Sequence, residues 1–376
     1  MFNSRQAFIF NHFKTLISTY DGTLPFHNFL KKYCKLNSSL GSTDRRLLRE
    51  ILYCVFRMGP VWKDKSLEDI FLWPAITNPE SELLKKFYTG IELKPEDLEF
   101  KYPFENLLME SLRQKEYYES LSKQPLVWVR VDKKNADKFR AKYKEQIIAE
   151  EDINRIYIAF GLSNSTAIDN EPYSMEIQDL SSQLVSSKII VSEGMKVWDC
   201  CCGAGGKSLF IAGEFKKLDH FASDVRPVIL RTLKERFSKN RLAIPKCSVV
   251  DLSEPQGELN FADEEIGYGY FDVIIADVPC SGSGTWAREP ENLSFFTEEK
   301  IDELVLRQKQ IVINALPFLK QGGKLYYITC SVFESENNEL VTKLLNENNL
   351  VLIKSELVTG YNKGADTLFI AEFTKK

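Results

Sequence analysis

What this sequence lacks narrows its class. No apolar run approaches the ~18–20 residues that span a bilayer, which excludes a helical membrane protein. The N-terminus, Met1-Phe2-Asn3-Ser4-Arg5, leads into a mixed stretch with no signal-peptide core and no small-residue cleavage site, so a cytoplasmic location is expected. Histidine is scarce: His12, His27 and His220 lie far apart. The eight cysteines are Cys34, Cys54, Cys200, Cys201, Cys202, Cys247, Cys280 and Cys330, and no pair has the C-x-x-C spacing of a zinc clamp. No metal site is expected, and in a reducing compartment the thiols stay free. Internal repeats and low-complexity tracts are also absent. With 44% hydrophobic, 12% aromatic and 27% charged residues, the chain is not disordered, collagen-like or coiled-coil. Its 376 residues imply two or three domains.

Net charge is small, −4, but unevenly spread. Residues 1–150 hold 25 Lys and Arg against 20 Asp and Glu, and residues 151–376 hold 24 against 33. A basic front on an acidic back suits a polyanion-binding module joined to something else, with compositional drift as the alternative.

Residues 1–124 read as helices. Leu47, Leu48, Ile51, Leu52, Val55 and Phe56 recur at helical spacing between Asp44 and Met58, and Gly59 stops the run. Ser66 opens another helix with Asp69 as capping partner. Pro79 and Gly90 bracket a third, and Pro103 to Gln124 reads as a fourth. At residue 126 the period changes. A β-like run 126–131, a helical stretch 136–143 and a second strand 153–160 suggest a small α/β connector over 126–174. From 175 onward strands and helices alternate, with strands expected at 196–200, 221–224, 247–251, 271–277, 324–329, 351–354 and 367–373. Helices are expected between them, notably at 227–241 and 297–316. Such alternation implies an α/β fold with a parallel sheet covered on both faces, and a ligand site at the carboxyl ends of its strands.

Several strand ends carry chemistry. The first runs into Cys201-Cys202-Gly203-Ala204-Gly205-Gly206-Lys207. A glycine-rich turn before a helix lets the backbone approach a ligand closely. The spacing fits neither a phosphate-binding P-loop nor G-x-G-x-x-G, so by itself it indicates only a nucleotide-like ligand. Asp224 ends the second strand and suits two ribose hydroxyls; Asp251 ends the third and suits an adenine amino group. Each acid alone could equally be a solvated cap. The fourth strand ends in Asp277-Val278-Pro279-Cys280-Ser281-Gly282 and the fifth in Thr329-Cys330-Ser331. Two thiols at the active ends of neighbouring strands suggest nucleophilic chemistry; two packed core cysteines are the alternative.

Together with Ile177–Gln183, these motifs give residues 175–376 a strong resemblance to the Nop/Sun family of S-adenosylmethionine-dependent RNA (cytosine-5) methyltransferases. Within it the chain is most similar to the bacterial ribosomal small-subunit methyltransferase B group, and Leu40–Arg57 resembles, more weakly, that group's NusB-like helical domain. The resemblance implies a Rossmann-like class I methyltransferase domain at 175–376, preceded by an all-α, RNA-binding NusB-like domain at 1–125 and the connector at 126–174. It implies a protein, expected to act as a monomer, that methylates carbon 5 of a cytosine in RNA, with small-subunit (16S) ribosomal RNA as first choice. Transfer RNA, or a non-catalytic ribosome-assembly role, is the alternative. Carried over by resemblance, Cys330 is the nucleophile, Cys280 acts after methyl transfer, and Asp277 holds the base. S-adenosylmethionine falls to Cys201, Cys202, Gly203, Ala204, Gly205, Gly206, Lys207, Asp224, Asp251 and Asp277. The family's loop usually reads Cys-Ala-Ala-Pro-Gly-Gly-Lys; Ala204 stands in place of its proline, which is expected to loosen the turn.

Overall fold

The computed structural model describes residues 2–78, 80–91, 102–163, 175–262 and 264–376. Pro79, expected to open a helix, and the 164–174 end of the connector lie outside the described residues. The chain divides into two compact units, Met1–Gln124 with Trp286–Glu298, and Pro125–Thr285 with Glu299–Lys376.

The first unit is helical: Ser4–Thr19, Phe26–Leu36, Ser42–Phe56, Leu67–Thr77, Glu82–Phe87 and Lys115–Leu121. The helix read from Asp44 to Met58 forms over Ser42–Phe56, and all six of its predicted apolar positions are fully buried. Asp44 sits in its first turn and accepts the Gly41 amide at 3.2 Å. The Ser66 side chain accepts the Asp69 amide at 3.1 Å, as the sequence suggested. The fourth expected helix does not form as one element: within 103–124 only Lys115–Leu121 is α-helical, preceded by 3₁₀ turns at Glu105–Leu107 and Glu110–Leu112. The Leu108 carbonyl, which an α-helix would give to the Leu112 amide, accepts instead from Arg113 Nε at 3.1 Å and Nη2 at 3.0 Å. Leu112 N–H turns back to Met109. The 286–298 segment also belongs to this unit. Its helix, Pro290–Phe295, offers Glu291 to the Phe26 amide at 3.0 Å, and Ser294 Oγ donates to the Phe56 carbonyl at 2.7 Å.

The second unit contains two main sheets. The smaller has strands β1 (Val127–Asp132), β2 (Ile147–Asp152), β3 (Tyr157–Leu162) and β4 (Met175–Ile177) in the order β2-β3-β1-β4, with helix Ala136–Tyr143. The sequence missed β2 because its alternation is half-exposed and charged. The larger sheet uses β5 (Lys196–Asp199), β6 (Asp219–Asp224), β7 (Lys246–Val249), β10 (Phe271–Asp277), β11 (Leu319–Thr329), β12 (Leu350–Thr359) and β13 (Thr367–Lys375). Between them β8 (Leu259–Phe261) and β9 (Glu264–Ile266) form a hairpin. The order is β12-β13-β11-β10-β5-β6-β7, parallel except for β13, which runs antiparallel to both neighbours. All seven expected strands are present, so the correction concerns only the direction of the last. Chain order reverses beside β5, between β6 and β10, and a ligand cleft opens at such a point.

Candidate active site at the carboxyl ends of the strands

After β5 the chain turns sharply into helix Gly206–Glu214. Gly203 and Gly205 have φ of +51° and +81°, which L side chains rarely adopt. A Cβ at Gly203 would meet nothing within 4 Å, so this backbone lies open to the cavity. Three bonds hold the turn where the usual proline is missing: Gly205 N–H to Cys202 O at 2.9 Å, Gly203 N–H to Asp224 Oδ2 at 3.0 Å, and Arg236 Nη1 to Ala204 O at 2.6 Å.

A cavity of about 450 Å³, within the usual range for small-molecule sites, collects Cys201, Gly203, Asp224, Asp251, Asp277, Cys280 and Cys330. Thus residues read from five separate strand ends share one wall. Cys202 packs into the core against Leu209, Ala222 and Leu233, and contributes backbone rather than sulfur. Ala204, Gly205, Gly206 and Lys207 lie behind the lining, shaping the turn and the helix start.

The acids differ in setting. Burial pushes the Asp224 carboxyl up, but Arg226, through its guanidinium and amide, and the Gly203 amide outweigh it and hold it below the usual value. Asp251 is exposed, and the Ser253 hydroxyl and amide, at 2.6 and 2.9 Å, keep it low. Asp277 accepts from the buried Lys207 ammonium at 2.6 Å. Burial alone would lower the Lys207 pKa; the Asp277 charge reverses this and raises it.

Parallel pairing of β10 with β11, with Asp277 opposite Ile328, brings the two thiol turns together. Cys280 Sγ and Cys330 Sγ are 3.3 Å apart. The hydrogen bond to Cys330, then burial, push the Cys280 thiol well above its ordinary value, so Cys280 keeps its proton.

Beneath these turns lies a residue the sequence reading did not single out. Glu336 is fully buried and accepts four hydrogen bonds: Ser281 N at 2.9 Å, Ser281 Oγ at 2.5 Å, Gln308 Nε2 at 2.7 Å and Ser331 Oγ. Ser281 and Ser331 each follow one of the cysteines, so one carboxylate ties both thiol turns together. Asn337 extends the tie, accepting from Thr329 Oγ1 at 2.7 Å and donating to Ser331 O at 2.9 Å. Arg226 and Arg307, also unanticipated, line the cavity. The local signal for Glu336 was weak, an acid six residues past Cys330, because two of its three partners, Ser281 and Gln308, come from distant segments.

Residues 189–370 match the profile of the family described as 16S rRNA methyltransferase RsmB/F. Among curated proteins, the chain is 31% identical over 191 residues to the ribosomal RNA small subunit methyltransferase B of Pectobacterium atrosepticum, covering 50% of this chain and 43% of that protein. It is 29% identical over 233 residues to the Yersinia pestis protein of the same name, covering 60% and 52%. The chain spans about half the length of the curated relatives it matches. Among solved structures, the crystal structure of PH0851 superposes with a TM-score of 0.68 at 19% identity, over 93% of this chain and 95% of that one. NSun6 from Pyrococcus horikoshii with SFG gives 0.50 at 21% identity, over 57% of each. At these identities the likeness to the solved structures is one of fold.

Proposed function

We propose, from the match of residues 189–370 to the RsmB/F methyltransferase family, that this protein transfers a methyl group from S-adenosylmethionine to carbon 5 of a cytosine in RNA, small-subunit ribosomal RNA first. The observation that carries the reading is two thiols 3.3 Å apart, with Asp277, which Lys207 holds from behind, on the wall of a cavity that also includes Asp224.

The residues fit the methyl donor. Gly203 presents open backbone, Asp224 is a carboxylate positioned for ribose hydroxyls, and Asp251 lies further along the same cavity. Bound there, S-adenosylmethionine supplies an electrophilic methyl group.

Carbon 5 of cytosine is a poor nucleophile. The Cys330 sulfur donates an electron pair to carbon 6; the carbon 5–carbon 6 π pair shifts into the ring, and carbon 5 becomes enamine-like. The Asp277 oxygen not engaged by Lys207 accepts from the exocyclic amine, while the Lys207 ammonium offsets the negative charge that addition creates. Carbon 5 takes the methyl group, its proton leaves to a base, the double bond re-forms, and the Cys330 thiolate is expelled. Cys280 serves this last stage, adjacent to the sulfur that must depart. The base must be unpaired or turned out of its stack to enter. Residues 1–125 serve as the RNA-holding module.

The thiols are expected to fail differently. Cys330→Ala abolishes methyl transfer and gives no covalent species. Cys280→Ala adds, methylates and stalls as a denaturant-resistant protein–RNA adduct that depends on the methyl donor, visible as a shifted band on a denaturing gel. Turnover by Cys330→Ala would overturn the mechanism, and bisulphite sequencing that showed loss confined to transfer RNA would overturn the substrate.

A further inference from the structure

Residues 1–50 hold eight Lys and Arg against three Asp and Glu, whereas residues 51–150 hold 17 against 17. The positive excess of the front half is thus confined to its first three helices. Five of those eight cations, Lys31, Lys35, Arg45, Arg46 and Arg49, line one cleft of about 480 Å³ between helices Phe26–Leu36 and Ser42–Phe56. All five are exposed, and none of the described residues that line the cleft is a carboxylate. The three acids of this stretch are engaged elsewhere. Asp44 pairs with Arg5 at 3.2 Å, Asp21 accepts from Thr23 at 2.8 Å, and Glu50 from Asn78 at 3.5 Å. Lys31 and Lys35 are one turn apart on one helix, Arg45 and Arg49 on the other. Like charges at that spacing repel, so each row works against its own helix. Leu30 and Cys34, both buried, are the apolar part of the lining.

We propose that this cleft seats the phosphate backbone of the RNA. The inference rests on the RNA reading above and adds where that RNA is held. Two facing cationic rows ask only for a polyanion. An Arg fork engages two oxygens of one phosphate at once. An extended acidic peptide would also want main-chain partners, and mid-helix N–H and C=O groups are already spent on the helix itself.

The test uses the full chain and a labelled RNA hairpin carrying an unpaired cytosine, titrated from low to high salt. The triple reversal Lys31→Glu, Arg45→Glu, Arg49→Glu is expected to weaken binding at low salt by about ten- to a hundredfold and to flatten the salt dependence by roughly two, at ~0.7 per lost contact on a single strand. An equal charge change away from the cleft, Lys14→Glu, Lys115→Glu, Lys123→Glu, is expected to cost less than about threefold. Far-ultraviolet circular dichroism and the unfolding midpoint should match wild type in both, which verifies the fold of the helical unit. If the reversal fails to fold, the same three residues changed to Ala serve, with about tenfold expected. Wild-type binding by the cleft variant, or equal loss in both sets, overturns the seat and leaves the RNA reading standing. A wild-type chain with no affinity for RNA overturns both. Tighter binding of poly-glutamate than of RNA, lost in the cleft variant, assigns the surface to an acidic protein and overturns the proposal.

Discussion

Two buried carboxylates lie beneath the cavity, one under each half, and they are satisfied very differently. Glu336, under the thiol turns, is 0% exposed and receives four donors across both oxygens. Asp199, at the end of β5 under the glycine-rich turn, is 1% exposed and receives one, the Ser208 hydroxyl at 2.7 Å. Its other oxygen has no partner. Ser208 Oγ in turn is hydrogen-bonded with His220 Nε2 at 3.1 Å, and the far nitrogen of that ring is also unpartnered. A buried carboxylate is tolerated as an anion in proportion to the donors that replace its water. The thiol side is therefore locked by a buried carboxyl group whose two oxygens are both satisfied. The turn side stands on a carboxyl that burial pushes up to about 7, opposed only in part by Ser208. Chemistry that needs two sulfurs at fixed separation has the rigid support, and the binding turn has the yielding one.

Breaking the saturated side should have the larger effect. Glu336→Gln keeps the shape but turns one of two acceptors into a donor facing donors. Losing hydrogen bonds to a buried charge costs on the order of 1.5–3 kcal/mol each. A ten- to hundredfold fall in kcat is expected, with slower adduct formation and an unchanged KM for S-adenosylmethionine. A parallel rise in that KM would show a general loss of structure rather than of thiol placement, and unchanged kcat would show that the turns hold without the tie.

On the binding side, Asp224→Ala should weaken S-adenosylmethionine by about tenfold, the order of one lost partner of a buried polar ligand. Asp224 also loses its hold on the Gly203 amide. Asp251→Ala should cost only about threefold, because Asp251 is exposed and a contact made in water is worth less than one made to the buried Asp224. Calorimetry that ranked the two the other way round would assign the ribose contact to Asp251.

Which parts of this were legible in the sequence follows from the range of the interactions. The seven strands, the turn glycines and the acids and thiols after the strands are set by residues near one another in sequence: short apolar runs buried on both faces, positive φ, a polar residue where pairing stops. The reversal of β13 is not, since an apolar run reads the same in either direction. The 103–124 segment failed for a related reason. Its helical spacing is real, but the Arg113 guanidinium takes the carbonyl the helix needed. The 286–298 segment has composition like its flanks, and its membership of the first unit is decided by Phe26 and Phe56, more than 200 residues away. Glu336 reads as one more acid until Ser281, Ser331 and Gln308 converge on it.

The remaining expected effect is the sharpest measure of the contrast, because its sign can be derived. The Asp199 carboxyl is raised from 3.8 to about 7, so between those values the folded chain holds a proton that the unfolded chain has released. Stability from this group is full below about pH 4 and is lost as pH rises toward 7. His220 is lowered by burial from 6.5 to about 4, so the unfolded chain holds the extra proton there, and stability is present above pH 6.5 and lost as pH falls toward 4. At about 1.4 kcal/mol per unit the two slopes are bounded near 4 and 3 kcal/mol, with opposite signs over the same window. In the wild type they largely cancel. Asp199→Asn should leave the His220 slope exposed, and its Tm relative to wild type should rise from about pH 4 to 7, the window of the group removed; His220→Gln should leave the Asp199 slope, and its relative Tm should fall from about pH 4 to 6.5. If Asp199→Asn left the profile unchanged, Asp199 would be as well compensated as Glu336, and the difference between the two halves of the cavity would have to come from the length of the turns rather than from the charge beneath them.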